Sequence, residues 1–283
     1  MPVRRRIRLL ALVLALACLG PALAAAQAPA PGSAVAMGDS FASGEGSGPS
    51  FDPGTNVGGN RCHRTALAWP RLLGVPAARH LACSGARIAN LTSAQSSLAP
   101  DDRGQLERLA GLSPPSAVFV TLGGNDAGFA DVLRRCVLAS CVGLIRTRRA
   151  GLPALGARLE AAYREIAAAA RGGRVIVVGY PDIVPAKPPT GFRCPWLGDA
   201  EVPAARGFIG DLDGTIAAAA GRAGVEYVAT DDALKGHELC TSSGWVFPVL
   251  LNPFSINPQQ AHPRPPGQQA MARAVQAHLD GER

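Results

Sequence analysis

A serine hydroxyl is a poor nucleophile until a base takes its proton, and histidine is the side chain whose ordinary titration lies closest to neutral pH. The sequence offers such a pair near its two ends. Ser40 follows the apolar run Ser33-Ala34-Val35-Ala36-Met37 through Gly38-Asp39. Of the five histidines, His63, His80, His237 and His278 lie in helix, strand-edge or loop contexts that suggest no role, whereas His262 sits in a Pro-rich loop before the last predicted helix. Taken singly, a serine after a strand is a turn residue and a loop histidine a surface residue; taken together they suit nucleophilic catalysis. Other chemistries lack their signatures. No G-x-S-x-G surrounds any serine, so the strand-to-helix nucleophile turn of that pattern is absent. Neither a phosphate-binding loop nor a paired-glycine dinucleotide fingerprint follows the first strand. Asp39 and Asp126 do not read as a glycosidase carboxylate pair, because both sit at strand ends where loop and cap formers belong.

The elements that must position these groups alternate between short β-branched runs and helical stretches. Strands are predicted at Ser33 to Met37, Arg79 to Ala82, Ala117 to Leu122, Arg174 to Val178 and Val225 to Val228. Helices are predicted over Thr65 to Leu73 with a break at Pro70, Leu155 to Arg171, Ala204 to Ala220 and Gly267 to Leu279. This alternation indicates βαβ units, and so a five-stranded parallel sheet covered on both faces in a three-layer α/β/α sandwich. In open sheets of this kind the site lies at the carboxyl ends of the strands. Gly38-Asp39-Ser40, Gly85 and Asn125 all fall there. The Gly-, Ser-, Pro- and Asn-rich stretch from 41 to 61 is a long loop, and loops of that length are commonly functional.

Length and composition bound the rest. A chain of 283 residues with 47% hydrophobic content buries one sizeable core. Arg4, Arg5, Arg6 and Arg8 precede the apolar run Leu9 to Leu19 and a small-residue zone, the pattern of a secretory leader cleaved after Ala24 or Ala26. The apolar run is short for a membrane span of about 20 residues. The organisation expected is a signal peptide over 1–26, a flexible tail over 27–32 and a single domain over 33–283, acting outside the cell as a monomer without stable membrane insertion. Losing the leader lowers the formal charge from +7 to about +3. With 5% aromatic residues and no basic stripe interleaved with them, no nucleic-acid partner is expected. Arg146-Thr147-Arg148-Arg149 reads as a solvated face. Six cysteines remain after Cys18 leaves, an even number that in an exported chain reads as three disulfides, with fifteen pairings open. No close-set Cys or His pairs suggest zinc, and no metal or cofactor is expected.

Four short blocks carry a resemblance. Met37-Gly38-Asp39-Ser40-Phe41-Ala42-Ser43-Gly44-Glu45-Gly46 is similar to the first block of the SGNH (GDSL-type) hydrolases, in particular their actinobacterial secreted lipases. Cys83-Ser84-Gly85-Ala86 resembles the second block, Gly123-Gly124-Asn125-Asp126 the third, and His262-Pro263 with Gly267 the fifth. The resemblance spans nearly the whole chain after the leader and implies the flavodoxin-like fold of that family. It implies Ser40 as nucleophile, His262 as general base, and an oxyanion hole from the N–H groups of Ser40 and Gly85 and the side-chain amide of Asn125. It also implies pairing Cys62-Cys83, Cys136-Cys141 and Cys194-Cys240.

One departure from the family pattern is visible. Many members carry Asp three residues before the histidine, where this chain has Gln259, and Asn257 and Gln260 are also uncharged. The expectation is that the main-chain oxygen of Gln259 orients the imidazole, as a backbone carbonyl does in some actinobacterial relatives. The substrate expected is an acyl lipid or small acyl ester, with the loops 41 to 61, 181 to 196 and 241 to 256 shaping the groove. Trp245, Val246, Phe247, Val249, Leu250 and Leu251 are candidates to line it, although core packing explains them better. A carbohydrate O-deacylase would use the same Ser40–His262 pair; a noncatalytic binding protein on this scaffold would need an unreactive Ser40.

Overall fold

The computed structural model describes residues 32–189, 194–249 and 257–281. The expected leader and nearly all of the expected tail, together with Leu250 and Leu251, lie outside the described residues. In chain order the elements are β1 (Val35–Gly38), α1 (Ser40–Ser43), α2 (Trp69–Leu72), α3 (Gln105–Ala110), β2 (Ala117–Thr121), α4 (Gly124–Ala127), α5 (Phe129–Leu138), α6 (Val142–Ala150), α7 (Leu152–Ala169), β3 (Arg174–Val178), α8 (Glu201–Ala223), β4 (Glu226–Val228) and α9 (Pro265–Leu279).

Every residue of β1 and β2 is buried, as expected of parallel strands covered on both faces. The four strands run parallel in the order β1-β2-β3-β4. The fifth strand expected at Arg79 to Ala82 is not a ladder strand. That segment meets β1 through one parallel bridge, Ala36 to His80, with N–H bonds from Leu81 to Ala36 O at 2.7 Å and from Cys83 to Gly38 O at 3.0 Å. A 3-10 turn at Ala77–Arg79 before it and the turn closed by Ala86 N–H on Cys83 O after it leave too few extended residues for a ladder. Its position on the outer side of β1 nevertheless completes the flavodoxin-like arrangement.

Because parallel crossovers are right-handed, reversing direction after the His80 segment sends helices to both faces. On one side α7 packs along α8 and touches α3; on the other α2 packs against α9. Trp69 of α2 meets Phe119 of β2 edge-on, ring centroids 5.7 Å apart, which seats that layer on the sheet. Helix α2 is much shorter than the predicted Thr65 to Leu73, because Pro70 falls in its first turn, where a missing N–H costs nothing, rather than inside a longer helix. The structure joins Cys62 to Cys83, Cys136 to Cys141 and Cys194 to Cys240. On α6, Arg148 and Arg149 pair with Asp131 and Asp211 at the surface. No helix among the described residues is long and apolar enough to cross a membrane.

Candidate active site

The end of β1 turns straight into α1, and that turn presents Ser40. Asp39 caps the helix: its carboxylate accepts the Phe41 N–H at 3.1 Å, while its own N–H bonds Thr121 O of β2 at 2.9 Å. The side chain of Gln105, at the start of α3, grips Gly38 from both sides, accepting its N–H at 2.8 Å and donating to its carbonyl at 3.0 Å. Ser40 is thus fixed by strand, cap and clamp before any base is considered.

His262 reaches it from the far end of the chain, 222 residues away, with Nε2 2.8 Å from Ser40 Oγ. The loop carrying it is held by exchanges with residues 245 to 247: Ala261 N–H to Phe247 O at 2.9 Å, Phe247 N–H to His262 O at 2.8 Å and Arg264 N–H to Trp245 O at 2.7 Å. Nδ1 lies 2.9 Å from the carbonyl of Gln260. A carbonyl only accepts, so Nδ1 carries the proton and Nε2 offers its lone pair to the serine. The acceptor at bonding distance is therefore one residue beyond the expected Gln259, whose carbonyl takes the main-chain N–H of His262 at 3.2 Å while also lying near the ring. Ala261, with φ +62°, turns the chain between them and aims the Gln260 oxygen at the ring. Burial holds the imidazole below its usual pKa, partly offset by the negative charge of Glu45 and by the nearby carbonyls of Gln260, Gln259 and Pro258.

Gly85 and Asn125 line the same cavity as Ser40 and His262. Gly85 has φ +80° and an added Cβ would meet only Gln95 Nε2, at 3.6 Å, so the left-handed backbone rather than crowding calls for glycine here. Among the described residues the N–H groups of Ser40 and Gly85 donate to no protein acceptor. The Asn125 amide gives one hydrogen to Ala86 O at 2.9 Å and keeps the other. Asp126 locks the same two loops together by accepting the Ile88 N–H at 3.0 Å.

Tyr180 is a site residue that the motifs did not indicate. Its hydroxyl donates to Asp39 Oδ2 at 2.5 Å and accepts the Gly124 N–H at 2.8 Å, joining the turn that presents Ser40 to the loop of Asn125. It lies just past the end of β3, which is where a strand-end search would have found it. Its N–H bonds Asp213 Oδ1 on α8 at 2.9 Å. Burial pushes the carboxyls of both Asp39 and Asp213 up to about 7, against the pull of these hydrogen bonds, and raises the Tyr180 hydroxyl as well.

The cavity, about 160 Å³, has an apolar wall of Phe129, Ala130 and Leu133 from α5, Ile209 and Leu212 from α8, and Ile183. Trp245, Val246, Phe247 and Val249 are not on it. Val246 is buried in the core, Trp245 and Val249 pack against that core, and Phe247 faces the guanidinium of Arg264 at 5.5 Å. Among the described residues no group of three His, Cys, Asp or Glu side chains is arranged to hold a metal ion.

A parallel α/β sandwich with a serine and histidine in contact at the strand ends is the architecture of a serine-type hydrolase. Comparison with known proteins narrows this. Residues 36–270 match the GDSL-like lipase/acylhydrolase family. The chain is 33% identical to Lipase 1 of Streptomyces coelicolor over 282 aligned residues, covering 93% of this chain and 95% of that one. It is also 33% identical to a lipase of Streptomyces rimosus, covering 77% and 76%. The structure superposes on phospholipase A1 from Streptomyces albidoflavus NA297 with a TM-score of 0.72 at 31% identity, covering 88% of this chain and 99% of that one. The extracellular lipase of S. rimosus gives a TM-score of 0.71 at 29% identity, covering 86% and 98%. The chain belongs to the GDSL-like lipase/acylhydrolase family, in its actinobacterial lipase group, and is a carboxylic ester hydrolase.

Proposed function

We propose that this is a secreted esterase or lipase that cleaves acyl lipids or small acyl esters through an acyl-enzyme on Ser40. The observation that carries the reading is the 2.8 Å approach of His262 Nε2 to Ser40 Oγ with Nδ1 already committed to a carbonyl. In this reading His262 takes the serine proton as Oγ bonds the ester carbon, then passes it to the departing alkoxide. Water, deprotonated by the same nitrogen, attacks the acyl-enzyme, and the proton returns to Oγ. Negative charge on the carbonyl oxygen is met by the N–H groups of Ser40 and Gly85 and the second amide hydrogen of Asn125, donors fixed before the reaction begins. A neutral carbonyl fixes tautomer and ring direction but stabilises imidazolium less than a carboxylate would.

The wall built from α5 and α8 suits a hydrocarbon chain better than a sugar, which favours an acyl ester over an acetylated carbohydrate. The names of the Streptomyces relatives support lipid substrates, and the extracellular lipase among them, with the leader at residues 1–26, supports secretion. The test is a series of p-nitrophenyl esters from acetyl to palmitoyl with the parent enzyme and Asn125→Ala. Turnover is expected to favour acyl chains longer than acetyl, and Asn125→Ala to lower kcat by about 10²-fold. A strict preference for acetyl, or an unchanged kcat in the variant, contradicts the proposal.

A further inference from the structure

The oxyanion donor at Gly85 belongs to the peptide linking Ser84 to Gly85, so its direction is the orientation of that one peptide plane. In a trans peptide the N–H points opposite to the preceding carbonyl. The Ser84 carbonyl accepts a hydrogen bond from Gln95 Nε2 at 2.6 Å, on an exposed stretch 11 residues further along the chain. From the other side, the Ser84 hydroxyl donates to Glu45 Oε2 at 2.9 Å. Glu45 is fully buried, its N–H holds the carbonyl of Ser40 at 3.1 Å, and the same carboxylate oxygen meets His63 Nδ1 at 2.5 Å. Because the left-handed glycine at 85 leaves the adjoining peptide free to flip, local backbone preference alone does not choose its direction.

We propose that Gln95 and Glu45 are positioning residues for the oxyanion hole: Gln95 holds the Ser84 carbonyl away from the cavity and so turns the Gly85 N–H into it, while Glu45 sets the spacing between that peptide and Ser40. This rests on the hydrolytic reading above and extends it. Glu45 carries it out through both ends of one residue, backbone to the nucleophile and side chain to the donor loop. Among the described residues the exposed Gln95 side chain makes one hydrogen bond, and it falls on the carbonyl that reports the donor's direction.

The test uses the full chain with Gln95→Ala, Gln95→Glu and Ser84→Ala, measuring kcat and KM separately together with inhibition by an alkyl boronic acid, whose tetrahedral adduct draws on the same donors. Gln95→Glu keeps the size of the side chain and removes its amide donor. Each variant is expected to lower kcat by about tenfold and weaken the boronate by a similar factor, a fraction of what loss of a whole donor costs, with KM little changed. Gln95→Glu behaving like the parent shows that bulk rather than the hydrogen bond matters and overturns the role of Gln95. Unchanged kcat in Ser84→Ala overturns that of Glu45. Fluorophosphonate labelling run in parallel separates this from the underlying reading: labelling that persists in Ser40→Ala defeats the nucleophile assignment, whereas labelling that depends on Ser40 with unchanged kcat in these variants defeats only the positioning proposal.

Discussion

Placing one methyl group at Gly46 tests whether the contact between His262 and Ser40 is set by the loop beneath the imidazole. Gly46 has φ +87°, and a Cβ there would sit 2.8 Å from the His262 Cβ and 3.0 Å from the carbonyl oxygens of His262 and Pro263. Ordinary carbon contacts lie at about 3.5–4.0 Å, so the loop and the histidine must separate by roughly 1 Å. The contact between His262 Nε2 and Ser40 Oγ is 2.8 Å, and a shift of that size carries it past the upper end of about 3 Å for such a bond. Misplacement of about 1 Å costs on the order of 10²-fold in rate, so Gly46→Ala should lower kcat by about that factor. The backbone strain of an L-residue in this region adds about 1–2 kcal/mol to the loss of stability. Gly54→Ala is the control: φ is +77° there and an added Cβ meets nothing within 4 Å, so it carries the strain without the collision. Stopped assays with p-nitrophenyl butyrate and thermal melts of both variants give the comparison. A Gly46→Ala enzyme with kcat within about threefold of Gly54→Ala would mean that the methyl is absorbed without moving His262, and that the loop does not set the contact.

Other consequences follow from the same contacts. Because burial holds His262 below its usual 6.5, kcat/KM should rise with pH through an apparent pKa under that value and stay level to mildly alkaline pH; an inflection above 7 contradicts the burial argument. Asp213 keeps its proton in the folded state up to about 7, whereas the unfolded group releases it near 3.8. Stability should therefore fall as pH rises across that window and level off above it. Asp213→Asn, which keeps an oxygen for the Tyr180 N–H, should make that slope shallower, with the buried Asp39 carboxyl supplying the rest, and gain up to about 4 kcal/mol at pH 8 in denaturant titrations; an unaltered slope removes Asp213 as a source of it. Gln259→Ala loses only a side-chain bond to Gly48 O at 3.3 Å and should retain most activity, since the acceptor for Nδ1 is main chain. A loss as large as that of His262→Ala would show that the amide itself matters.

The sequence made the site legible where chemistry is written locally. Gly38-Asp39-Ser40 and Gly123-Gly124-Asn125-Asp126 each follow an apolar strand, so both the element and its functional end could be read together. What escaped was set by distance or by backbone direction. Tyr180 and Gln105 act on Asp39 and Gly38 across 141 and 67 residues, and nothing near either side chain announces the partner. The six-residue α3 that carries Gln105 is too short for helical periodicity to show, and α2 is shorter than its composition suggests because Pro70 belongs to its first turn. The carbonyl at bonding distance from His262 Nδ1 is that of Gln260 rather than the expected Gln259, because which carbonyl faces the ring depends on the positive φ of Ala261, an unusual backbone for alanine. The expected fifth strand at Arg79 to Ala82 lies beside β1 but carries only a bridge, since turns close in on it from both sides.

The most direct measurement is mass mapping of the protein after reaction with a fluorophosphonate, in the parent and in His262→Ala. One adduct is expected, on the peptide containing Ser40, formed far more slowly when His262 is absent. An adduct on another serine, or labelling of Ser40 at the same rate without His262, would contradict it.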